Sequence, residues 1–267
     1  MVTLAEIHVY PIKSCRGFAV EDWPLEDAGL AHDREWMVVT PEGRFLTQRE
    51  HPRLALVAPR LDGGRLLLTA PAMPELALPL DGAAAVRDVV VWRSAVRALD
   101  AGDEAAQWFS DFLGRAVRLV RFDPHERRLS SPDWAGDSGA VTRFSDGYAL
   151  LALSRASLDD LNARLPAPLP LDRFRPNLLL EGLPPYGEDE LRDFAIAGMR
   201  LRGVKPCTRC SITTTRQSTG ELDGVEPLRT LKTYRWDREL GGVIFGQNVI
   251  VLGAGGRLSR GMELVPG

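Results

Sequence analysis

A chain of 267 residues, 45% apolar and 26% charged, has the length and composition for one large globular domain or two modest ones. A formal net charge of −3 gives no general pull toward nucleic acid, and no apolar run approaches membrane-spanning length, so neither is an expected partner. Three cysteines do not make a disulfide scaffold, and the start MVTLAEIHVYPIK lacks the charged-then-apolar order of a signal peptide, which together point to the cytoplasm.

Leu4, Ile7, Val9 and Ile12 mark a first strand that runs to Lys13 and Ser14. WMVVTPEGRFLTQ predicts a hairpin around Pro41, Glu42 and Gly43, and short strands are expected at 54–58, at 65–69 after a Gly63–Gly64 turn, and at 86–92. The Pro- and Ala-rich stretch 70–85 reads as a surface connection. Ala105, Trp108, Phe109, Phe112 and Leu113 fall at helical spacing, with Asp103 and Glu104 in the first turn and Gly114 at the end. A strand, AVRLVRF, follows, and the polar stretch 123–143 reads as loop. A second helix is predicted over 154–165, with Leu158, Leu161 and Leu165 on one stripe and Ser157 and Asp160 as a capping box. Strands are expected at 177–180, 199–204, 211–215 and 248–252. The fold class is α+β, mainly β, with a few helices.

Of 33 basic residues only Lys13, Lys205 and Lys232 are lysine. A lysine kept against such a bias supplies what arginine does not, a compact point charge with three donors. Lys13 lies in YPIKSCRG, two residues before Cys15, and Lys205 lies in GVKPCTRCSITTT with Cys207 and Cys210. The Cys207–Cys210 spacing fits half a zinc site, a redox pair, two inert cysteines, or one thiolate ligand to a soft metal. Zinc lacks two further ligands, because Cys15, His8, His32, His51 and His125 are scattered. A redox pair is expected to open a helix, whereas the β-branched run at 211–215 predicts strand. Lys205 and Arg209 would favour an ionised sulfur.

Three cationic clusters accompany the cysteines. Lys13, Ser14 and Arg16 follow a strand, with Gly17 permitting a turn, and suit either an anion or a solvated strand end. Asp33–Arg34 reads as an ion pair at the surface. Arg173, Arg175 and Asn177 in DRFRPNLLL set two guanidinium groups and an amide before a buried strand, suited to bidentate anion recognition or to a solvated charge run.

In order, YPIKS, HDREWMV, SDG with LSRASLDDLNARL, FRPNLLLEG, CTRCSITT, EPLRTLKTYR and FGQN resemble the MOSC superfamily. The resemblance is to its branch with an N-terminal MOSC β-barrel domain, which includes the mitochondrial amidoxime-reducing components. It implies a MOSC β-barrel-like domain over 1–122 and a MOSC β-barrel domain over 123–267. It also implies the molybdenum cofactor (Mo-molybdopterin), with Cys210, the second cysteine of the CxRC pair, as catalytic thiolate ligand to molybdenum. Lys13, Ser14, Arg34, Arg175 and Asn177 are then expected to hold the pterin and its phosphate. Ser145, Asp146, Gly147 and Tyr148 match the SDG loop that approaches the cofactor, with Asp146 the second catalytic candidate. Gly147 and Tyr148 stand where the mammalian relatives carry hydroxyl residues. Gln247 and Asn248 complete the candidates, while Cys207 and Cys15 are expected to make no metal bond.

The activity implied is two-electron reduction of N-oxygenated small molecules such as amidoximes, N-hydroxylated bases and N-oxides. A separate flavoprotein, ferredoxin or cytochrome is the expected electron donor, since no cysteine follows Cys210 to hold an iron–sulfur cluster. The alternative is a cofactor carrier or sulfur-transfer protein without substrate turnover, as in the cofactor sulfurases.

Overall fold

The computed structural model describes residues 1–81 and 85–267. Seven strands close a barrel. Leu150–Ser154 pairs in parallel with Leu178–Glu181, and antiparallel pairing then runs through Val2–Val9, Glu263–Pro266, Asp193–Ile196, Met199–Thr208 and Gly242–Val251, back to Leu150–Ser154. Side chains alternate across each strand, so one set fills the barrel and the other faces outward. Leu178 and Leu180 pack inside with Leu4, Ile7, Ala152, Phe194 and Val249. Leu179 and Leu153 point the other way, against Leu158 and Leu161 of the helix Arg155–Arg164. The first strand of the chain is thus a stave of the barrel built otherwise from residues beyond 149, with Leu4 opposite Leu180 and Val2 opposite Leu264.

The chain then crosses into a second core. An antiparallel sheet joins Trp36–Val39, Arg118–Phe122, Ser94–Asp100 and Val86–Val91, and a meander joins Ala58–Asp62, Arg65–Thr69 and Leu76–Pro79. The helix Asp103–Leu113 buries Trp108, Phe109 and Phe112 against Trp36, Val38, Leu54 and Leu68, and Gly114 ends it in the left-handed conformation expected of a C-terminal glycine. A parallel bridge from Ile12 to Trp36 fixes where the segment after the first strand enters this region.

Several local expectations change. The strand expected at 54–58 is a 3-10 helix, Pro52–Leu56, because proline at its start presets helical φ and lacks an N–H to offer a ladder. The connection at 70–85 contains the strand Leu76–Pro79, whose Leu76 and Leu78 are buried in alternation with exposed Ala77. Its last part, 82–84, lies outside the described residues. The hairpin's second arm shrinks to one bridge, Val39 to Phe45. The stretch 123–143 holds a helical turn, Pro132–Ala135, and a bridge from Leu129 to Val141. The second helix is capped by Ser154, whose Oγ accepts from the Ser157 N–H at 3.1 Å, a turn earlier than the expected box.

Ser157 instead donates its hydroxyl to Glu188 Oε2 at 2.7 Å. Glu188 is fully buried, its Oε1 has no partner among the described residues, and burial pushes its carboxyl pKa up. A carboxyl raised on folding stabilises the protein below its ordinary pKa, and that stability is lost as pH rises through the folded value. Glu188→Gln is therefore expected to stabilise by about 1–2 kcal/mol near pH 8, where wild type must bury the charge. The gain should shrink near pH 4 in denaturant titrations; an equal effect at both pH values would rule out the buried charge as its cause.

Candidate functional site

One cleft opens where the two cores meet, and its lining includes Lys13, Ser14, Arg34, Ser145, Asp146, Gly147, Tyr148, Arg175, Asn177 and Cys210. These ten expected site residues therefore converge on one place. Its cavity volume is about 140 Å³, below the ~300–1,000 Å³ of closed small-molecule and cofactor sites, so it is a shallow cleft that opens to solvent. Charged side chains in the wall are Lys13, Arg34, Arg175 and Arg209 against Asp146, an excess of cations on a chain whose formal charge is −3.

Lys13 is buried, and its ammonium donates to the Phe144 carbonyl at 2.8 Å and to Asp146 Oδ1 at 2.5 Å. Burial lowers its pKa, opposed by the Asp146 charge. Desolvation pushes the Asp146 carboxyl upward, but Lys13 first, then Arg49 and the Trp92 indole N–H, outweigh it and hold Asp146 well below the ordinary carboxylate range. Asp146 is thus ionised at neutral pH and, held this low, is a weak base, suited to anchoring the Lys13 ammonium rather than to exchanging a proton. Its side chain is largely open to solvent, so water screens these attractions and they add little to stability.

Three of the lining residues hold backbone conformations that side chains rarely adopt: φ is +67° at Ser14, +46° at Arg34 and +56° at Arg175. Each is held by several contacts. The Ser14 carbonyl accepts from Gln48 Nε2 at 2.7 Å, and Gln48 and Gln217 exchange amide hydrogen bonds of 3.1 and 3.0 Å in the interior. Arg34 donates to Asp33 at 2.5 Å, to Asn177 Oδ1 at 2.9 Å and to the Arg175 carbonyl at 3.1 Å. Asp33 is buried, so the Asp33–Arg34 pair is an internal strut and not the surface pair expected. Arg175 donates to the Cys15 carbonyl at 2.5 Å.

Cys210 follows the strand Met199–Thr208 and caps a 3-10 turn, Ser211–Thr214, in place of the strand expected at 211–215. β-Branched propensity loses here to local hydrogen bonds: Thr213 Oγ1 donates to the Cys210 carbonyl at 2.9 Å and Thr214 Oγ1 to the Ser211 carbonyl at 2.7 Å. The ground on which a redox pair was set aside, a following strand, therefore does not hold. Of the two cations expected to favour an ionised sulfur, Arg209 is directed at Cys207 rather than Cys210, and Lys205 at an aromatic ring. Arg209 donates to Cys207 Sγ at 3.1 Å and to the Phe174 carbonyl at 2.7 Å, while Lys205 sits 5.2 Å from the Trp134 ring centre.

Arg173 and Arg16 lie outside the cleft lining. Arg173 is buried behind the Cys210 turn, donating to the Thr213 carbonyl at 3.3 Å and pairing with Asp223. Arg16 donates to the Gln217 carbonyl at 2.9 Å. Strand alternation separates Asn248, which lines the cleft, from Gln247, which is fully buried. Cys15 is fully buried, and desolvation pushes its thiol up to about 12.

The family model described as the MOSC N-terminal beta barrel domain matches residues 1–116, and that of the MOSC domain matches residues 140–265. The chain belongs to the MOSC family. Its relatives include mitochondrial amidoxime-reducing component 1 of Mus musculus, 38% identical over 87% of this chain and 71% of that one. The Homo sapiens protein of the same name is 36% identical over 93% of this chain and 78% of its own length. The molybdenum cofactor sulfurase of Oryza sativa subsp. japonica is 34% identical over 92% of this chain but only 32% of its own.

In this MOSC pair both matched segments furnish the cleft, Lys13, Ser14 and Arg34 from the first and Asp146, Arg175 and Cys210 from the second. Sequence reading missed the residues that hold these in place. Trp92, at φ +56° between two strands, donates its indole N–H to Asp146 Oδ1 at 3.1 Å and packs between Phe45 and Arg49. Arg128 is buried and donates to the carbonyls of Arg143, Ser145 and Asp146 at 2.7, 2.6 and 3.3 Å. Nothing marks it among thirty arginines until the loop it braces is seen. Arg128→Met leaves those carbonyls without their donor and is expected to destabilise the MOSC domain by about 2–4 kcal/mol. Urea titration measures this, and a loss below about 0.5 kcal/mol, the range of ordinary surface changes, would contradict the bracing role.

Proposed function

We propose that this chain binds the molybdenum cofactor in the cleft and reduces N-oxygenated small molecules, amidoximes and N-hydroxylated bases among them. The observation that carries the reading is a partly exposed thiol, Cys210, in a wall of four cationic side chains and a single carboxylate. That donor set fits a group carrying both a phosphate and a thiolate-seeking metal. The names of the amidoxime-reducing relatives support the same assignment.

Arg34, Arg175 and Lys13 would neutralise the phosphate, with Ser14 and Asn177 as further hydrogen-bonding partners. Cys210 would be the single protein ligand to molybdenum; among the described residues no group of three or more His, Cys, Asp or Glu gathers as a metal cage. When bound, the cofactor supplies two-electron oxygen-transfer chemistry that the side chains cannot. Asp146, ionised, fixes the Lys13 ammonium at the cleft, and the two protons that the reduction consumes would come from solvent at the cleft mouth. Ser145, Gly147 and Tyr148 line the cleft beside Asp146. Reducing one amidoxime to an amidine takes two electrons and two protons and releases water, with the electrons coming from a separate donor protein.

The test uses protein from a host that makes the cofactor. About one molybdenum and one pterin per chain, with amidoxime turnover driven by a chemically reduced viologen, is the expected result. Bound cofactor without turnover would favour the carrier role, and zinc without pterin would remove the reading altogether.

A further inference from the structure

Tyr10, which follows the first barrel strand, is tied to both arginine-bearing segments. Its N–H donates to Asp33 Oδ1 at 2.8 Å, its carbonyl accepts from the Arg34 N–H at 2.8 Å, and its hydroxyl donates to the Pro176 carbonyl at 3.1 Å. The Arg34 guanidinium carbon lies 4.3 Å from the ring centre and that of Arg175 lies 4.4 Å from it. Gly17 closes on the ring so tightly that a Cβ there would run into it. Tyr10 is 3% exposed and outside the cleft lining, whereas both arginines line the cleft. Arg175 has Nε and Nη2 without a protein acceptor among the described residues.

Two guanidinium groups on one buried ring repel each other, and the ring's negative π-face offsets that repulsion. The same repulsion, after burial, pulls the Arg175 pKa down to about 10. An incoming anion would find two cations already gathered, with little side-chain freedom left to lose on binding.

We propose that Tyr10 is a positioning residue whose ring fixes both the Arg34 and the Arg175 guanidinium groups in the cleft lining for a phosphate-class anion. This rests on the cofactor reading, because the phosphate of the cofactor is the anion that reading supplies. The probe is inorganic phosphate, titrated calorimetrically into the 267-residue chain made in a strain without the cofactor pathway. Tyr10→Phe keeps the ring and is expected to stay within about twofold of wild type, whereas Tyr10→Leu should weaken phosphate about tenfold.

Replacing Tyr10 by phenylalanines carrying successively more fluorine keeps the shape and drains the π-face, so phosphate affinity should fall step by step while the melting temperature holds. That series decides the matter should the leucine variant fail to fold. Fluorinated variants that bind phosphate as tightly as Tyr10→Phe would overturn the role of the ring, even where wild type from a cofactor-making host carries pterin. A graded loss of phosphate in a protein that never carries pterin would support Tyr10 and overturn the cofactor reading instead.

Discussion

Cys210→Ser protein, made in a host that supplies the molybdenum cofactor, is expected to lose amidoxime reduction by about 10³-fold or more, the scale seen when a group acting at the reacting centre is removed. Serine is nearly isosteric, and the thiol is only partly buried at the cap of a short turn. The turn itself is held by the Cys210 carbonyl, which accepts from the Thr213 hydroxyl and N–H at 2.9 and 3.1 Å. The melting temperature should therefore move little. A hydroxyl at position 210 is a poor ligand for a soft metal at neutral pH, so molybdenum content should fall with activity while phosphate binding at the arginines persists. Full activity in Cys210→Ser would remove Cys210 from the chemistry. Cys207→Ser is the companion, expected to retain most activity because its sulfur accepts from Arg209.

Lys13→Met is expected to separate function from stability. Lys13 is 5% exposed, and its ammonium carries a desolvation penalty that one carboxylate, itself open to solvent, offsets in part. Methionine fills similar volume without that penalty, so the variant should be as stable as wild type to within about 1 kcal/mol, or more stable. Cofactor retention should nevertheless fall by about 10²-fold, since the cleft loses a buried cation and Asp146 is left to Arg49 and Trp92 alone. Pterin fluorescence after gel filtration reads the first effect and guanidinium titration the second. Retained pterin in Lys13→Met would mean that the arginines alone hold the anion.

The segments that build the cleft were legible because each joins a strand signal to an unusual residue choice: lysine where the chain prefers arginine at Lys13, a paired cysteine at Cys210, guanidinium groups before a buried run at Arg175. What was not legible is the support behind them. Gln48 and Gln217 are 169 positions apart and meet only through the fold. Arg128 and Trp92 carry no local signature of the carbonyls and carboxylate they reach. The turn after Cys210 went against β-propensity because side-chain hydroxyls close it from within, a contest that residue type alone does not decide. The 3-10 helix at Pro52 was open to reading, since proline at that position already argued against a strand.

The pairing of Val2 with Leu264 sets a condition on biosynthesis. The first stave emerges from the ribosome long before its neighbours, and almost the whole chain must be looped before the ring can shut. A nascent or prematurely terminated chain that ends before residue 263 lacks the Glu263–Pro266 stave and holds an open sheet edge in place of a barrel. Arg34 and Cys210, which line one cleft, come from segments that such a fragment can hold without the closed ring between them. Fragments released early therefore carry an unpaired edge prone to associate with other chains.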